Sequence, residues 1–171
     1  MYCVIDFETT GLSPHESDII EYAAVRVEDD RAGGLTVGEV FTSLCAPART
    51  LVSPTITRIT GITPAMVEGL PPFERSLRDF LDFIGGDTVV AHNIPFDMGF
   101  LRRYCGDAGI RPPPKTLCTL VLSRRMCRLR SHKLEDVARA LGVDSAGYHR
   151  ALADAVTTAK ILIRLLEMRL S

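Results

Sequence analysis

The first ten residues combine a strand-forming run with two closely spaced acids. From Tyr2 the chain reads Tyr-Cys-Val-Ile-Asp-Phe-Glu-Thr-Thr-Gly. Side chains alternate between the two faces of a strand, so Asp6 and Glu8 point to the same side. Two carboxylates this close raise at least one of their pKa values unless a cation joins them. The run therefore predicts either a site for a hard divalent cation, such as Mg²⁺ or Mn²⁺, or two solvated acids at an exposed strand end.

The composition is that of an ordinary globular protein. The length of 171 residues predicts one domain covering residues 1–171. No run of about 18 apolar residues is present, so we expect no membrane partner. The five cysteines are scattered and never spaced Cys-x-x-Cys, which argues against a zinc site or disulfide framework and for a reducing, cytoplasmic compartment.

Charge is distributed unevenly along the chain. Fifteen acidic and six basic residues precede position 99, whereas six acidic and fourteen basic residues follow. This asymmetry fits an anionic partner for the basic half and cations for the acidic half, but solvated surface charge explains it equally well. A net charge of −1 excludes a generic polycation that coats nucleic acid.

Three strand-forming segments come first. The N-terminal strand is followed by a loop at 9–14, a strand at 19–28, a turn at 29–34 and a strand at 39–45. Such short connections favour an antiparallel meander.

Helices then alternate with strands. Thr63 and Pro64 are typical of a helix start, and Ser131 is expected to cap a later helix. The expected elements are helices at 73–84, from Pro95, after Ser131 to Gly142 and at 150–169, a strand at 87–92, and a short strand or helix at 116–123. Strands first, then strands mixed with helices, predict an α/β layered domain with a mixed sheet.

Two later acids stand out by their surroundings. Asp97 lies in the first turn of a predicted helix, where the helix dipole alone favours an acid. Asp154 lies in the nearly apolar run 151–156, where an acid is rarely buried without a partner. The alanines around Asp154 would let its helix approach the sheet closely and bring it to the acids of the first strand.

His149 precedes Asp154 by five residues, which is about 140° of rotation on a helix. The two side chains would therefore meet only if His149 lies ahead of the helix, in the loop after Gly147. A lone histidine is more often a surface or structural residue. Beside converging acids, however, it becomes a candidate general base near neutral pH.

Three motifs together resemble the DEDDh exonucleases. They are Asp-Phe-Glu-Thr-Thr-Gly at 6–11, His-Asn-Ile-Pro-Phe-Asp at 92–97 and His-Arg-Ala-Leu-Ala-Asp at 149–154. Their order and intervals match the family from about residue 2 to 168, and this family includes the proofreading epsilon subunit of bacterial DNA polymerase III. The resemblance implies an α/β, ribonuclease H-like three-layer fold, with a central mixed sheet of about five strands flanked by helices.

The resemblance also implies metal-dependent hydrolysis of single-stranded nucleic acid, with DNA favoured, from the 3′ end to 5′-mononucleotides. Asp6, Glu8 and Asp154 would hold one of two divalent cations, Mg²⁺ or Mn²⁺, and Asp6 would help to hold the second. Asp97 would act mainly through metal-bound water, and His149 would accept the proton of the attacking water. Two alternatives stay open: an RNA-processing enzyme of the same chemistry, and a subunit that mainly binds a DNA polymerase.

Substrate contacts follow from the same resemblance. Residues after the first motif would hold the terminal nucleotide through backbone groups and an apolar wedge, Ile62 could pack against a base, and two residues would lie near the scissile phosphate. The residues after the first motif are Thr9, Thr10, Gly11 and Leu12. The two residues near the scissile phosphate are His92 and Asn93.

Three features receive no assigned role. Thr60 stands where the family often has a histidine, and Cys118 stands where relatives often carry an acid. The basic run at 124–133 would either track the phosphates of a strand or form a solvated surface loop. The sequence favours neither interpretation. The run contains Arg124, Arg125, Arg128, Arg130 and Lys133.

Overall fold

The computed structural model describes residues 1–30, 33–144 and 149–170, with side chains as far as residue 168. The described strands are β1 (Tyr2–Thr9), β2 (Ile19–Asp29), β3 (Leu35–Leu44), β4 (Thr88–Ala91) and β5 (Thr116–Cys118). The described helices are α1 (Pro54–Thr60), α2 (Pro64–Val67), α3 (Phe73–Ile84), α4 (Ile94–Asp107), α5 (Thr119–Met126), α6 (Leu134–Ala140) and α7 (Ala151–Leu170). The predicted turn at 29–34 and the predicted loop before His149 include residues 31–32 and 145–148, which lie outside the described residues.

The strands form one mixed sheet in the order β3-β2-β1-β4-β5. Strands β1, β2 and β3 pair antiparallel, as the predicted meander requires, while β1, β4 and β5 pair parallel. Parallel pairs need long crossover connections, which here contain α1 to α3 before β4 and α4 before β5. The predicted mixed sheet of about five strands is confirmed.

Alternation along the central strand β1 separates two cores. Cys3, Ile5 and Phe7 face the core formed with α3 and α4, whereas Val4 faces the core formed with α7. Because β1 is covered on both faces, its apolar residues are almost fully buried. The sheet is thus the middle layer of three.

Small residues let α7 lie close to the sheet. Ala151, Ala155 and Ala159 recur every four residues on one helix face and are fully buried in the core that contains Val4. Helices α5 and α6 pack against other residues of α7, among them Leu165. The alanine face brings the first turn of α7 to strand β1.

Strand β3 begins four residues earlier than predicted. Val25 pairs with Val40 and Val27 pairs with Val37. One residue of β2 therefore lies between the two pairs, whereas two residues of β3 do, so β3 carries one extra residue here. This stretch of β3 contains Gly38, and a glycine inside a strand often marks a β-bulge. The predicted start at residue 39 was wrong, because residues 35–37, which precede the bulge, also pair with β2.

Two helix starts also differ from prediction. Ser131 is not the N-cap of α6, since Lys133 takes that position and the Ser131 hydroxyl accepts a 3.4 Å hydrogen bond from the Lys133 amide. Helix α1 was not predicted, although Ser53 caps it by accepting from the Ile56 amide and Pro54 is its first residue. The uncertain segment at 116–123 contains a strand and then a helix.

The five cysteines are free thiols. Within the described ranges, no helix is both long and apolar enough to cross a bilayer.

Candidate active site

Three acids from distant parts of the sequence meet at the C-terminal half of β1. Asp6 and Glu8 are half-buried on the face of β1 that α7 covers, and Asp154 is buried in the first turn of α7. One carboxylate oxygen from each of the three lies within 4.8 Å of the others. The predicted approach of α7 to the first strand therefore creates an acidic cluster.

Asp97 borders this cluster from the first turn of α4. Its side chain is buried, and its carboxylate accepts hydrogen bonds from its own backbone N–H and from that of Phe7. Strand β4 pairs with β1 only as far as Val4, so the Phe7 N–H has no strand partner on that edge. The Asp97 carboxylate thus provides the acceptor for the Phe7 N–H that a neighbouring strand would otherwise provide.

The electrostatics of the four acids are unfavourable without a cation. Burial, together with the charges of Asp97, Asp154 and Glu8, raises the pKa of Asp6 well above its usual range. Burial raises the pKa of Asp97 to about 8, and burial with the Asp154 charge raises that of Glu8 to about 8. Burial raises the pKa of Asp154 to about 6. Like charges held this close favour protonation unless positive charge is supplied.

The cluster fits a divalent cation. Asp154 Oδ1 is buried and has no hydrogen-bond partner among the described residues. A buried carboxylate oxygen without a partner is energetically costly, and a cation would satisfy it. The donors are all carboxylate oxygens, the ligands that Mg²⁺ and Mn²⁺ prefer. Asp6, Glu8 and Asp154 are the residues that could hold it.

His149 lies ahead of α7, as its convergence with Asp154 requires. Its backbone adopts the left-handed region, with φ of 61°, and its side chain is exposed. Its backbone N–H donates a 3.1 Å hydrogen bond to Asp154 Oδ2. The bond fixes the main chain of His149 to the acidic cluster and leaves the imidazole accessible to a substrate.

Glu21 belongs to this site and was missed in the sequence. It lies directly opposite Glu8 in the β1–β2 pair and is buried. Its Oε1 accepts from Arg150 Nη2 at 2.6 Å, and its Oε2 accepts from the Ala151 amide at 2.9 Å. The signal was present, because Glu21 interrupts the apolar run 19–25 just as Asp154 interrupts its own.

The loop after the first motif is fixed by hydrogen bonds. Thr9 Oγ1 donates to the Gly11 carbonyl at 2.7 Å, and Thr10 Oγ1 accepts from the Asp18 amide at 2.9 Å. A Cβ on Gly11 would lie 2.6 Å from the Ser17 hydroxyl oxygen, so a side chain at this position would require the Ser17 hydroxyl to move. Leu12 is 85% exposed, an unusual position for a large apolar side chain in a rigid loop.

Asp18 anchors that loop to the segment after β3. Its fully buried carboxylate accepts hydrogen bonds from the backbone amides of Arg49 and Thr50 at 2.8 Å and 3.0 Å. These hydrogen bonds hold the pKa of Asp18 below its usual value, against the effect of burial.

Two residues at the proposed base-binding segment are internal. Ile62 is fully buried in a small core with Ile20 and Val67, so the expectation that it packs against a base was wrong. The Thr60 hydroxyl donates to the Ile56 carbonyl and accepts from the Ile62 amide. Both residues hold the loop after α1 against the core.

His92 and Asn93 occupy the turn between β4 and α4. His92 Nδ1 lies 2.9 Å from Thr119 Oγ1, and Nε2 lies 2.9 Å from the His132 carbonyl oxygen. Since both ring nitrogens are engaged, the expected contact of His92 with the scissile phosphate is not available to these nitrogens. Asn93 has φ of 81° and is exposed in the same turn. Cys118 ends β5 and precedes α5.

A family model described as an exonuclease, of the RNase T type, matches residues 3–162. The chain belongs to this exonuclease family. The matched range contains all three acidic motifs. The protein is a 3′–5′ exonuclease, a phosphodiester hydrolase, and exonucleases of this family depend on divalent metal ions.

Two curated relatives of the exonuclease are replication proteins. The DNA polymerase III subunit epsilon of Aquifex aeolicus is 39% identical over 168 residues, which cover 97% of this chain and 80% of the relative. The PolC-type DNA polymerase III of Thermotoga maritima is also 39% identical over 168 residues, covering 98% of this chain. The exonuclease spans only 12% of that polymerase.

Solved structures show the same fold. Exonuclease X in complex with 5′-overhanging duplex DNA is 28% identical with a TM-score of 0.76, covering 98% of this chain and 92% of that one. The nuclease domain of 3′hExo, a DEDDh family member bound to rAMP, has a TM-score of 0.81 at 24% identity, covering 97% and 91%. The predicted ribonuclease H-like three-layer fold of the exonuclease is confirmed.

Proposed function

We propose that this exonuclease removes 5′-mononucleotides from the 3′ end of single-stranded DNA, using two divalent cations, Mg²⁺ or Mn²⁺. The convergence of Asp6, Glu8 and Asp154 carries the proposal, because three raised carboxylate pKa values and an unsatisfied Asp154 oxygen call for positive charge at one point. Divalent cations there would activate water for attack and stabilise the negative charge of the scissile phosphate and leaving oxygen.

The positions of the four acids suggest which of them would bind each cation. Asp6 clusters with Glu8 and Asp154, and the charge of Asp97 also raises its pKa, so we assign Asp6 to both cations. The Asp97 carboxylate is held by the Phe7 amide, and its charge acts on Asp6. Because each carboxylate is fixed by the sheet or a helix, little reorganisation is needed when charge develops.

His149 is the proposed general base. Its main chain is bound to Asp154, and its imidazole is exposed beside the cluster. A neutral imidazole can accept a proton from the attacking water. The positive φ of His149 sets the chain direction just before α7 begins, so the ring reaches solvent ahead of the helix.

The loop that contains Thr9, Thr10 and Gly11 is the proposed binding site of the terminal nucleotide. Its side-chain hydroxyls are used internally, which leaves backbone groups for contact with the nucleotide. Leu12, exposed at the end of this loop, is the proposed wedge against the terminal base. Such short-range contacts suit removal of single nucleotides.

DNA as substrate and a DNA polymerase as partner are supported by the relatives. One is named as a polymerase III subunit, and another is a PolC-type polymerase III in which the matching segment is a small part. Exonuclease X was solved with a DNA duplex that has a 5′ overhang.

The test uses single strands of DNA and RNA with equal sequence, each labelled at the 5′ end or at the 3′ end. Incubation with Mg²⁺, Mn²⁺ or EDTA should give metal-dependent shortening from the 3′ end, faster on DNA. The Asp154→Asn protein, prepared in parallel, controls for a contaminating nuclease.

Other outcomes distinguish the alternatives. Faster shortening of RNA would indicate an RNA-processing enzyme of the same chemistry. Absence of cleavage with either metal would contradict the catalytic proposal and favour a subunit that mainly binds a polymerase.

A further inference from the structure

A concave surface lies at the turn between β4 and α4. This cleft, of about 720 Å³, is formed by the β4–α4 turn on one side and by α5 and the segment before α6 on the other. Its volume is within the range of about 300–1,000 Å³ typical of ligand-binding clefts. Its lining includes His92, Asn93, Leu120 and His132.

Three exposed cations point to an anionic occupant. Arg124, Arg130 and Lys133 line the cleft, and none of its described lining residues is acidic. Asp136 is outside the lining and pairs with Arg139 at 3.1 Å. A hydrogen bond with Ser131, together with the charges of Arg139 and Lys133, holds the pKa of Asp136 below its usual value. Positive charge in a concave surface concentrates its field and attracts anions.

The basic run at 124–133 therefore divides into two sets. Arg124 and Arg130 line the cleft, whereas Arg125 and Arg128 are exposed but do not line it. Charge and sequence neighbourhood are the same for both pairs, so only position separates them. This division provides an internal control that the sequence alone could not define.

Hydrogen bonds make the floor of the cleft rigid. His92 joins the Thr119 hydroxyl to the His132 carbonyl, and His132 Nδ1 lies 2.9 Å from the Ser123 hydroxyl. Ser123 and Thr119 are fully buried in α5. The segment that carries Arg130 and Lys133 is thus fixed to the end of β4.

The floor also joins the cleft to the catalytic acids. Strand β4 pairs in parallel with β1 as far as Val4 and Val90, and two residues further along each strand lie Asp6 and His92. Paired strands are about 4.8 Å apart at Val4 and Val90, so the acidic cluster and the cleft lie at the same end of two neighbouring strands. A strand whose 3′ end lies at the acids would enter the cleft with its next phosphates.

We propose that this cleft binds the phosphates of the single strand on the 5′ side of the nucleotide being removed, through Arg124, Arg130 and Lys133. The inference rests on the proposed exonuclease function. An acidic peptide would also suit the charge, but continuity with the acidic cluster favours the nucleic acid strand.

The test compares Arg124→Gln/Arg130→Gln with the control Arg125→Gln/Arg128→Gln on single-stranded DNA of two and twelve nucleotides. Each lost phosphate contact should reduce the slope of log kcat/KM against log salt by about 0.7, so the cleft variant should lose about 1.4 from the slope for the 12-mer. We expect the ratio of kcat/KM for the 12-mer to that for the dinucleotide to fall by about tenfold or more at 50 mM salt.

The 4-nitrophenyl ester of thymidine 5′-monophosphate separates failure of this inference from failure of the proposed function. Lack of metal-dependent ester hydrolysis by the unaltered protein would contradict the exonuclease function itself. With ester hydrolysis present, equal salt slopes and equal length ratios in the unaltered, cleft-variant and control proteins would overturn the cleft assignment. An equal loss in both double variants would also overturn it, since that result would reflect net charge alone.

A competition experiment with polyglutamate tests the other occupant. If polyglutamate inhibits the unaltered protein but not the cleft variant, and the oligonucleotide kinetics of the two proteins are equal, the cleft binds an acidic protein instead.

Discussion

The Arg150 guanidinium is bound to the Glu21 carboxylate, with Arg150 Nη2 2.6 Å and Nε 3.0 Å from Glu21 Oε1. The same carboxylate accepts the Ala151 amide at the start of α7. Glu21 is buried in β2 opposite Glu8, so one side chain joins the sheet to the helix that carries Asp154. The ion pair thereby sets where the acids of two elements meet, and it places one positive charge beside Glu8.

Glu21→Ala should lower the free energy of unfolding by about 2–3 kcal/mol, less than the loss of a fully buried pair because Arg150 is half exposed. The variant leaves the Ala151 amide without its acceptor. Urea unfolding followed by circular dichroism measures the change. Glu21→Gln keeps an acceptor and should lose only about 1 kcal/mol. Equal stability of both variants and the unaltered protein would contradict the anchoring role.

Metal and pH should act together on stability. Burial holds the pKa of Glu8 and of Asp97 at about 8 in the folded protein, above their unfolded values. The metal-free folded state therefore binds more protons than the unfolded state between about pH 4.5 and 8, and stability in EDTA should fall as pH rises through this window.

Divalent cations compete with these protons, so added Mg²⁺ or Mn²⁺ should stabilise the protein more at pH 8 than at pH 5.5. At a metal concentration of about 100 times the Kd, the gain is about 2.7 kcal/mol, or about 5–10 °C in Tm. Thermal unfolding at both pH values, with and without EDTA, measures the difference. A metal response that does not grow with pH would argue against carboxylate ligands with raised pKa values.

Asp154→Asn should abolish hydrolysis and the metal-induced rise in Tm. It should also raise the Tm in EDTA at pH 8, because it removes one carboxylate from a cluster of like charges while keeping an acceptor for the His149 amide. Glu16→Gln changes the net charge equally at an exposed position and serves as the control. A metal response retained by Asp154→Asn would remove Asp154 from the proposed ligands.

Much of the fold could be predicted because local pattern and tertiary packing agree. Alternation in β1 defined both cores, and the alanines of α7 indicated its close approach to the sheet. The start of β3 was predicted wrongly because the residue count across a bulge at Gly38 depends on pairing with β2. That residues 1–171 form one domain stays a prediction.

The site could be predicted where a residue contradicts its surroundings. Asp154 stood out as an acid in an apolar run, and Glu21 would have stood out by the same reasoning. Burial of Ile62 could not be predicted, since its short apolar segment fits either a core or an exposed surface until α1 and α2 are placed. The bonding of both His92 nitrogens likewise depends on residues 27 and 40 positions away.

His149→Ala should lower kcat by about 10²–10⁴-fold if the imidazole is the general base. The metal-induced rise in Tm should persist, because the contact that fixes this residue to Asp154 comes from its backbone N–H. Steady-state kinetics with thermal unfolding separates the two effects. An unchanged pH–rate profile in this variant would exclude His149 as the base.

Leu12→Ala tests the apolar wedge. The side chain is 85% exposed, so its truncation should change the free energy of unfolding by no more than about 0.5 kcal/mol. A contact with the terminal base would be lost, however, and apolar or stacking contacts of this kind contribute about 1–3 kcal/mol per base. We therefore expect KM for single-stranded DNA to rise by about 5-fold to 100-fold, measured at constant metal concentration.

Leu51→Ala, at an 87% exposed position in the segment after β3, is the matched control for Leu12→Ala and should leave KM unchanged. If the two variants have the same KM, the loop after the first motif holds the nucleotide through its backbone alone.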